Sequence, residues 1–406
     1  MLFAPAGAIA PFPRHLEGWS ALSRIASFRL APRDRGETNR DSTSLELMFD
    51  LATVVTVAAA AHALAQDIEA GDLALGAIRF ACSFFMAWLA WANYTWFASG
   101  YDNKSAAFRV VTMVIMFGSL TLAGGIRSGL GDQPHWLVLI GFSIMRLGMI
   151  ALWLGAANGD RQGRLTALRY VAGIGAMQIY WNTLIILVSP QAPLYFPLFA
   201  LGALGELAVP ALAERGGASN WHHGHIINRY NSFNIIVLGE CFAAVALIIS
   251  GPATPQFQHF WWAALCSIIA FSMWGLYFDR NEQLLGRKLS VVLTWAYGHC
   301  VLFAAGAATA AGFAVLLADA SNGTVSKQHI ALAFGIPIAV YLTALWLVRD
   351  RTSRHGSMHW LLLLVAALVL ASSVFIAAHA LESIAVLLVV AVSVRRRLYP
   401  AGSRAD

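Results

Sequence analysis

Charged residues are scarce in this chain, and their scarcity decides its class. Of 406 residues only 12% are Asp, Glu, Lys or Arg, whereas 58% are hydrophobic. Soluble domains carry about 25% charged residues. The mean hydropathy is +0.64. A soluble globular protein is therefore excluded, and the chain is predicted to be an integral membrane protein.

Motifs for catalysis and for cofactor binding are also missing. The sequence has no glycine-rich phosphate loop, no HExxH and no GxSxG, and its GxxxG segments fall in apolar stretches, where they favour helix packing. Its four cysteines lie in apolar stretches without metal-type spacing. The "WHHGH" segment at 221–225 reads as a solvated turn, with a metal site as the alternative. No cofactor, metal or disulfide is predicted.

What the chain has instead is an almost unbroken series of apolar stretches. Each is about 20 residues long, enough to cross a hydrocarbon core of roughly 30 Å as a helix. The pattern predicts an all-α, polytopic transmembrane helix bundle of about twelve spans. Their approximate limits are 45–65, 73–99, 107–126, 135–157, 165–188, 194–213, 226–250, 258–279, 290–317, 329–348, 358–376 and 380–394. Only the short segment "HALE" offers a turn between the last two.

The basic residues predict an orientation. With the N-terminus inside, 22 of the 27 Lys and Arg residues fall on the cytoplasmic side and only Arg127 and Lys327 fall outside, the bias that cytoplasmic loops show. Both termini are therefore predicted to be cytoplasmic. The net charge of +6 follows from this bias, so the lipid bilayer with its anionic lipids is the predicted partner, and nucleic acid is not.

The loop between the sixth and seventh spans divides the chain into two six-span halves. The predicted divisions are a cytoplasmic segment 1–43, a first half 44–216, a second half 217–397 and a tail 398–406. With six spans each, the halves would be parallel repeats, and "ELMFDLATVV" faintly echoes "NSFNIIVLGE". The N-terminal segment lacks a basic start, so no cleaved signal peptide is predicted. Residues 19–30 read as a surface helix or as a disordered tail.

Ionisable residues in the cytoplasmic leaflet give the first functional candidates, because a charge in hydrocarbon is costly unless paired or hydrated. Glu46 and Asp50 are four residues apart, so they share a helix face about 6 Å apart. Glu46 could instead act as an N-terminal acid that complements the helix dipole, with Ser44 as N-cap. Other charged groups at similar depth are Arg109, Arg229 and Asp279. They favour a proton or substrate site, with a structural belt of ion pairs as the alternative.

A second group of ionisable residues lies deeper. Arg146 is the only mid-depth base that could neutralise Glu206 or Glu240, and one guanidinium cannot fully neutralise two carboxylates. One acid is expected to hold or share a proton, as in a proton-coupled carrier. A static pair beside a neutral acid is the alternative. His299 is a further candidate. The aromatic run at 88–97 reads as interfacial anchoring or as a substrate-stacking pocket.

Several segments resemble motifs of the bacterial low temperature requirement A family. "ELMFDLATVVTVAAAAH" is similar to its first-span signature and "HIINRYNSFNIIVLGE" to a later one, and "GELAVP", "WGLYFD" and "YGHCVLFAAG" also match family segments. The ionisable residues that fall on these family motifs are Glu46, Asp50, His62, Glu206, His225, Arg229, Glu240, Asp279 and His299. The resemblance implies a multi-span bacterial inner-membrane protein linked by name to growth in the cold, and it supplies no substrate.

The chain departs from that family pattern at two positions. Asn228 stands where the family usually has Glu, and Asn231 where it has Gly. If the missing acid balances Arg229 in other members, the partner of Arg229 here is expected to be Glu46, Asp50 or Asp279.

Three function classes fit these features. A secondary, proton-coupled carrier of an unknown small solute is favoured, and it predicts a hydrated passage that reaches Glu240 from one side. A non-transporting protein of stress adaptation or scaffolding predicts no passage. A membrane-embedded enzyme acting on a lipid or quinone, with Glu46, Asp50 and His299 as acid-base groups, predicts a lateral opening beside the acids.

Overall fold

The chain folds as a bundle of α-helices. A computed structural model describes residues 28–33, 40–101, 105–127, 136–217, 219, 221–252, 254, 256–279, 288–322, 325–351 and 357–398. The helices in these ranges are α1 Ser44–Glu69, α2 Leu73–Tyr101, α3 Ala106–Arg127, α4 Trp136–Gly159, α5 Arg164–Leu187, α6 Tyr195–Ala213, α7 His223–Ser250, α8 Phe257–Phe278, α9 Leu289–Asn322, α10 Lys327–Leu345, α11 Leu361–Phe375 and α12 Ala380–Leu398. Each predicted span matches one helix to within a few residues, so the predicted all-α bundle is confirmed.

The helices have the length and surface of membrane spans. Among the described residues, eleven helices or helix runs are long and apolar enough to cross a membrane, and only α11, with 15 residues, is shorter. Large apolar side chains point outward all around the bundle, including Phe117, Leu187 and Leu204. A soluble protein would leave such a surface in water at a high cost. The protein therefore crosses the membrane several times.

The start of α1 is fixed by a capping box. The Thr43 backbone N–H donates to Glu46 Oε2 at 2.7 Å, and the Glu46 N–H donates to Thr43 Oγ1 at 3.3 Å. The prediction of Ser44 as the N-cap is therefore wrong. A capping box needs Ser or Thr three residues before the acid, and that residue is Thr43.

Successive helices pack in the same order in both halves, although α8 and α12 of the second half share an extensive contact that α2 and α6 of the first half do not match. The first helix packs on the second and third, the third on the fourth, and the chain of contacts continues to the sixth in each half. The tightest approach between α3 and α4 is at Gly141, where an added Cβ would collide with the Leu122 backbone, and α9 meets Ala333 of α10 at Gly312 in a comparable way. Such an order is what parallel repeats would give. The repeat itself stays a prediction.

The most extensive contacts between the two halves involve four helices. Helices α1 and α2 of the first half contact α7 and α9 of the second. Helix α1 is buried over much of its length, with Phe49 and Val57 fully enclosed. The side chains of Glu46, Asp50, His225, Arg229 and His299 on these helices sit inside the protein, whereas His62 and Glu69 toward the C-terminal end of α1 are exposed.

Part of the N-terminal segment docks on the bundle. The Leu30 side chain is fully buried, and its backbone N–H donates to the Gly155 carbonyl of α4 at 2.9 Å. Gly159 lets the chain pass, because a Cβ there would collide with the Leu30 backbone. Leu30 thus belongs to a packed segment, neither to a surface helix nor to a disordered tail. Residues 19–27 of the predicted stretch lie outside the described residues.

Candidate functional site

Two acids on α1 face two bases on α7. Glu46 and Asp50 are one turn apart, and so are His225 and Arg229. His225 Nε2 lies 2.8 Å from Glu46 Oε1. Arg229 Nη1 donates to Asp50 Oδ2 at 2.8 Å, and its Nη2 lies 2.7 Å from Oδ1. We call these four residues the acid-base cluster, and it joins the two halves of the protein.

Helix α2 and the segment before α1 complete this cluster. The Trp91 indole N–H donates to Asp50 Oδ1 at 2.6 Å. Arg40 Nη2 lies 3.6 Å from Glu46 Oε1, and the Arg40 guanidinium also donates to the Ala98 and Ser99 carbonyls at 2.8 and 2.6 Å. Arg40 therefore ties the C-terminal end of α2 to the start of α1.

Charge in the cluster balances without a proton on histidine. The side chains of Glu46, Asp50, His225 and Arg229 are at most 1% exposed. The two carboxylates are matched by the guanidinium groups of Arg229 and Arg40, so a neutral His225 leaves no net charge. An imidazole can gain a proton in the physiological range. A proton on His225 would leave the buried cluster with one net positive charge, which low-dielectric surroundings make costly.

Aromatic rings cover the cluster on the side of the bundle core. Phe233 stacks on Trp91 at 4.1 Å between ring centroids, and Tyr230 meets the edge of Trp91 at 4.9 Å. On the other side, Phe49 stacks on Tyr94 at 4.0 Å. The rings exclude water, so the ion pairs are screened weakly and any change of protonation acts strongly on the contact between halves.

Comparison with known proteins adds the family. A family model described as "Bacterial low temperature requirement A protein" matches residues 41–394. The chain belongs to this family. No curated protein and no solved structure matches it.

In this member of the family, the structure shows which acid pairs with Arg229. Of the three acids expected to pair with Arg229, the partner is Asp50, whose two carboxylate oxygens each lie next to one Nη nitrogen of the guanidinium. The acid absent at Asn228 is thus not needed to hold Arg229. Asp279 is not a partner, because Arg395 of α12 takes both of its oxygens, with Nε donating at 2.6 Å and Nη2 at 3.3 Å.

Arg395 holds a second acid as well. Its Nη1 donates to Asp350 Oδ2 at 2.9 Å, and its side chain is only 3% exposed. The last span was predicted to end at residue 394, which left Arg395 just outside it, but α12 continues to Leu398 and the Arg395 side chain is buried. Two carboxylates from other helices meet the guanidinium there, so its burial is compensated. This trio lies in the second half, apart from the acid-base cluster.

Arg146 forms an ion pair with Glu206, one of the two acids predicted to lie deep in the membrane. Its Nη2 lies 2.7 Å from both Glu206 oxygens, and the Trp181 indole N–H donates to Glu206 Oε1 at 2.9 Å. Both charged side chains are 1% exposed. Glu240 is left half-buried, with neither a hydrogen bond nor an ion pair to another described residue. It lies eleven residues beyond Arg229, roughly 16 Å further along α7.

The two other candidates lie apart from the acids. His299 is fully buried, with Nε2 3.2 Å from the Tyr277 hydroxyl and Nδ1 2.9 Å from the Trp295 carbonyl. Its ring lies 5.4 Å from that of Tyr230 and 5.5 Å from that of Phe303, and both of these rings contact Trp91 of the site. Arg109 is exposed on the surface of α3. Arg109 pairs with neither Glu46 nor Asp50, so it lies outside the site for which it was a candidate.

Sequence reasoning missed His225, Arg40 and Trp91 as parts of the site. His225 was assigned to a solvated turn, and this is wrong, because α7 begins at His223 and buries His225 completely. A signal was present in the spacing. His225 and Arg229 repeat on α7 the four-residue interval of Glu46 and Asp50 on α1, so each pair forms one helix face.

Proposed function

We propose that this low temperature requirement A protein is a proton-coupled secondary carrier, in which the acid-base cluster links the protonation state to the contact between the two halves. The observation that supports this most is the pair of contacts from Glu46 and Asp50 of the first half to His225 and Arg229 of the second. Carriers built of two halves alternate access by moving one half against the other around a central site. A proton on Glu46 or Asp50 would weaken these bonds, whereas a proton on His225 would strengthen its bond to Glu46 and leave a net positive charge in the buried cluster.

Glu240 is the proposed second proton station. It lies on the same helix as Arg229 and, at eleven residues' distance, on nearly the same face. No described base neutralises it. A carboxyl group without a counterion at membrane depth is a functional candidate by default, and this one lies toward the opposite end of α7 from the cluster.

The enzyme alternative has less support. An enzyme acting on a lipid would need an opening from the acids to the bilayer, but Glu46 and Asp50 are 1% and 0% exposed. His299, its proposed partner in acid-base chemistry, is hydrogen-bonded to Tyr277 instead. A scaffold without transport remains the competing account.

The protein is proposed to reside in the bacterial inner membrane with both termini in the cytoplasm. The support is the basic-residue bias of the loops. Fusions of a reporter that fluoresces only in the cytoplasm, attached at each terminus, should both fluoresce. A dark fusion at either terminus would contradict the orientation.

The carrier proposal can be tested by electrical recording on reconstituted protein. Proteoliposomes adsorbed on a solid-supported membrane would receive jumps of amino acids, amines, sugars and carboxylates with and without a pH gradient. We expect at least one solute class to give a current that grows with an inward proton gradient. Asp50→Asn should abolish that current and Glu240→Gln should reduce it.

A matched control is Asp67→Asn. Asp67 also pairs with an arginine, Arg79, at 3.2 Å, but both side chains are about a quarter exposed and lie at the opposite end of α1. This variant should carry wild-type currents. A folded wild type that gives no current with any solute, or equal currents from the wild type and Asp50→Asn, would contradict the proposal in favour of a scaffold.

A further inference from the structure

A cavity lies between the halves, next to the acid-base cluster. It has a volume of ≈ 30 Å³ and is bordered by α2, α4, α5 and α6 of the first half and by α7 and α9 of the second. Tyr230 borders it and is the chain neighbour of Arg229. Its ring also contacts Trp91, which donates to Asp50. The cavity and the cluster therefore share a wall.

Aromatic rings form most of this wall. The aromatic residues that border the cavity are Trp88, Trp96, Trp153, Tyr170, Tyr230 and Tyr297. Tyr297 meets Trp88 edge to face at 6.1 Å, and Trp153 stacks on Tyr170 at 4.0 Å. Ring faces carry partial negative charge, so a group of rings around a small space attracts cations.

The charged residue that borders the cavity is acidic, which suits a cation. Glu206 borders it, and among the described lining residues there is no Lys, Arg or His. Glu206 is itself neutralised by Arg146, so its contribution to the field is small. The net charge comes from a second acid directly behind the aromatic wall.

That acid is Glu214, which is 6% exposed. Its Oε1 accepts hydrogen bonds from Trp96 Nε1 and from the Tyr170 hydroxyl, each at 2.9 Å, and from Ser219 Oγ at 2.5 Å. All of these donors are neutral. Arg169 of α5 donates to the Ala213 carbonyl, next to Glu214 in the chain, and it forms no ion pair with Glu214 among the described residues.

A buried carboxylate without a counterion is costly, and this one makes the rings in front of it more electron-rich through their N–H and O–H groups. A cation in the cavity would offset that cost. We propose that this cavity is the substrate site and that it binds a small primary ammonium cation of the size of ammonium or methylammonium. The inference deepens the proposed carrier function and rests on it for transport, although binding can be measured independently.

The size of the cation follows from the cavity volume. A cavity needs about 10–15 Å³ in this measure to hold one water molecule, so a cavity of ≈ 30 Å³ has room for about two waters, which is the size of methylammonium. A quaternary ammonium with four methyl groups would require the walls to separate. Size selectivity is therefore part of the proposal.

The test is binding of radiolabelled methylammonium to the full chain in detergent, at constant ionic strength. Unlabelled methylammonium should displace the label, whereas methanol, its neutral counterpart, and acetate should not. Tetramethylammonium should displace it at least about tenfold less well. Equal displacement by methanol or acetate would overturn the proposal, since it would show that charge does not decide binding. Equal displacement by tetramethylammonium would also overturn it.

Variants at Tyr297 test whether its aromatic ring contributes to cation binding. Tyr297→Leu should weaken methylammonium binding by about tenfold, the loss expected for one desolvated ring, and Tyr297→Phe should lie between the wild type and Leu. Glu214→Gln should weaken it too. Phe257→Leu, at a side chain 83% exposed on the far surface, should bind like the wild type. Unchanged binding in both Tyr297→Leu and Glu214→Gln would overturn the proposal.

Uptake into proteoliposomes distinguishes this inference from the carrier proposal. Methylammonium that binds but is not taken up would support the site and contradict the carrier. Proton-driven flux of other solutes, together with no methylammonium binding, would support the carrier and overturn the site.

Discussion

Asp50 and Arg229 should be strongly coupled, so that replacing either one alone should cost far more stability than replacing both. Both side chains are fully buried, and two guanidinium nitrogens lie within 2.8 Å of the carboxylate. Asp50→Asn keeps an acceptor for Trp91 but leaves the Arg229 charge uncompensated, and Arg229→Gln leaves the Asp50 charge uncompensated. Removing one partner of a buried pair costs about 3–5 kcal/mol.

The double variant Asp50→Asn with Arg229→Gln should recover most of that loss. It has no buried charge at this position, and the two amides can hydrogen-bond to each other. Replacing both partners of a buried pair by neutral groups is often close to neutral for stability. The double variant should therefore be more stable than either single variant.

The assay is the free energy of unfolding, measured by titrating SDS into dodecyl maltoside micelles. Asp67→Asn is the control, because its pair with Arg79 is partly exposed and should be worth about 0.2–1 kcal/mol. Single-variant losses below about 1 kcal/mol, or losses that simply add in the double variant, would refute the reasoning that this pair is a tightly coupled buried bridge.

Three further predictions use the same preparation. Glu206→Leu leaves the Arg146 guanidinium without its carboxylate and should lower the unfolding free energy by about 3–5 kcal/mol, a loss that adding Arg146→Met should largely reverse. Gly141→Val should destabilise by at least about 1–3 kcal/mol, because the new side chain would collide with α3 at Leu122, whereas Gly124→Ala, with open space around it, should stay close to the wild type. Glu240→Gln should change the unfolding free energy by less than about 0.5 kcal/mol while it lowers proton-coupled current, and a large loss of stability there would show a structural role instead.

The helices could be predicted from the sequence because hydropathy is a local property. A stretch of about 20 apolar residues has one stable arrangement in a bilayer, since every backbone polar group must be satisfied within the segment. The helix ends were predicted less accurately than the helices themselves. Helix α7 begins at His223 and not near residue 226, because the His222 side chain accepts a hydrogen bond from the His225 N–H at 3.2 Å and caps a polar first turn.

The partners in the site could be predicted only in part. The candidates Glu46 and Asp50 followed from their spacing, and Asp50 was one of three acids expected for Arg229. The other pairs depend on the rotation and register of helices against each other, which no local pattern fixes. Arg395 fell outside the predicted last span because hydropathy treats each charge singly, while Asp279 and Asp350 come from distant segments to meet it.

The central claim is that protonation of the acid-base cluster changes the contact between the halves. Spin labels at Leu165 and Trp360, both 59% exposed at the starts of α5 and α11, would report the distance between halves by pulsed electron resonance after replacement of the four native cysteines. Between about pH 8 and about pH 5, the range in which an imidazole titrates, the wild type should shift between two distance populations, and Asp50→Asn should stay in one. A single wild-type population that is the same at both pH values would contradict the claim.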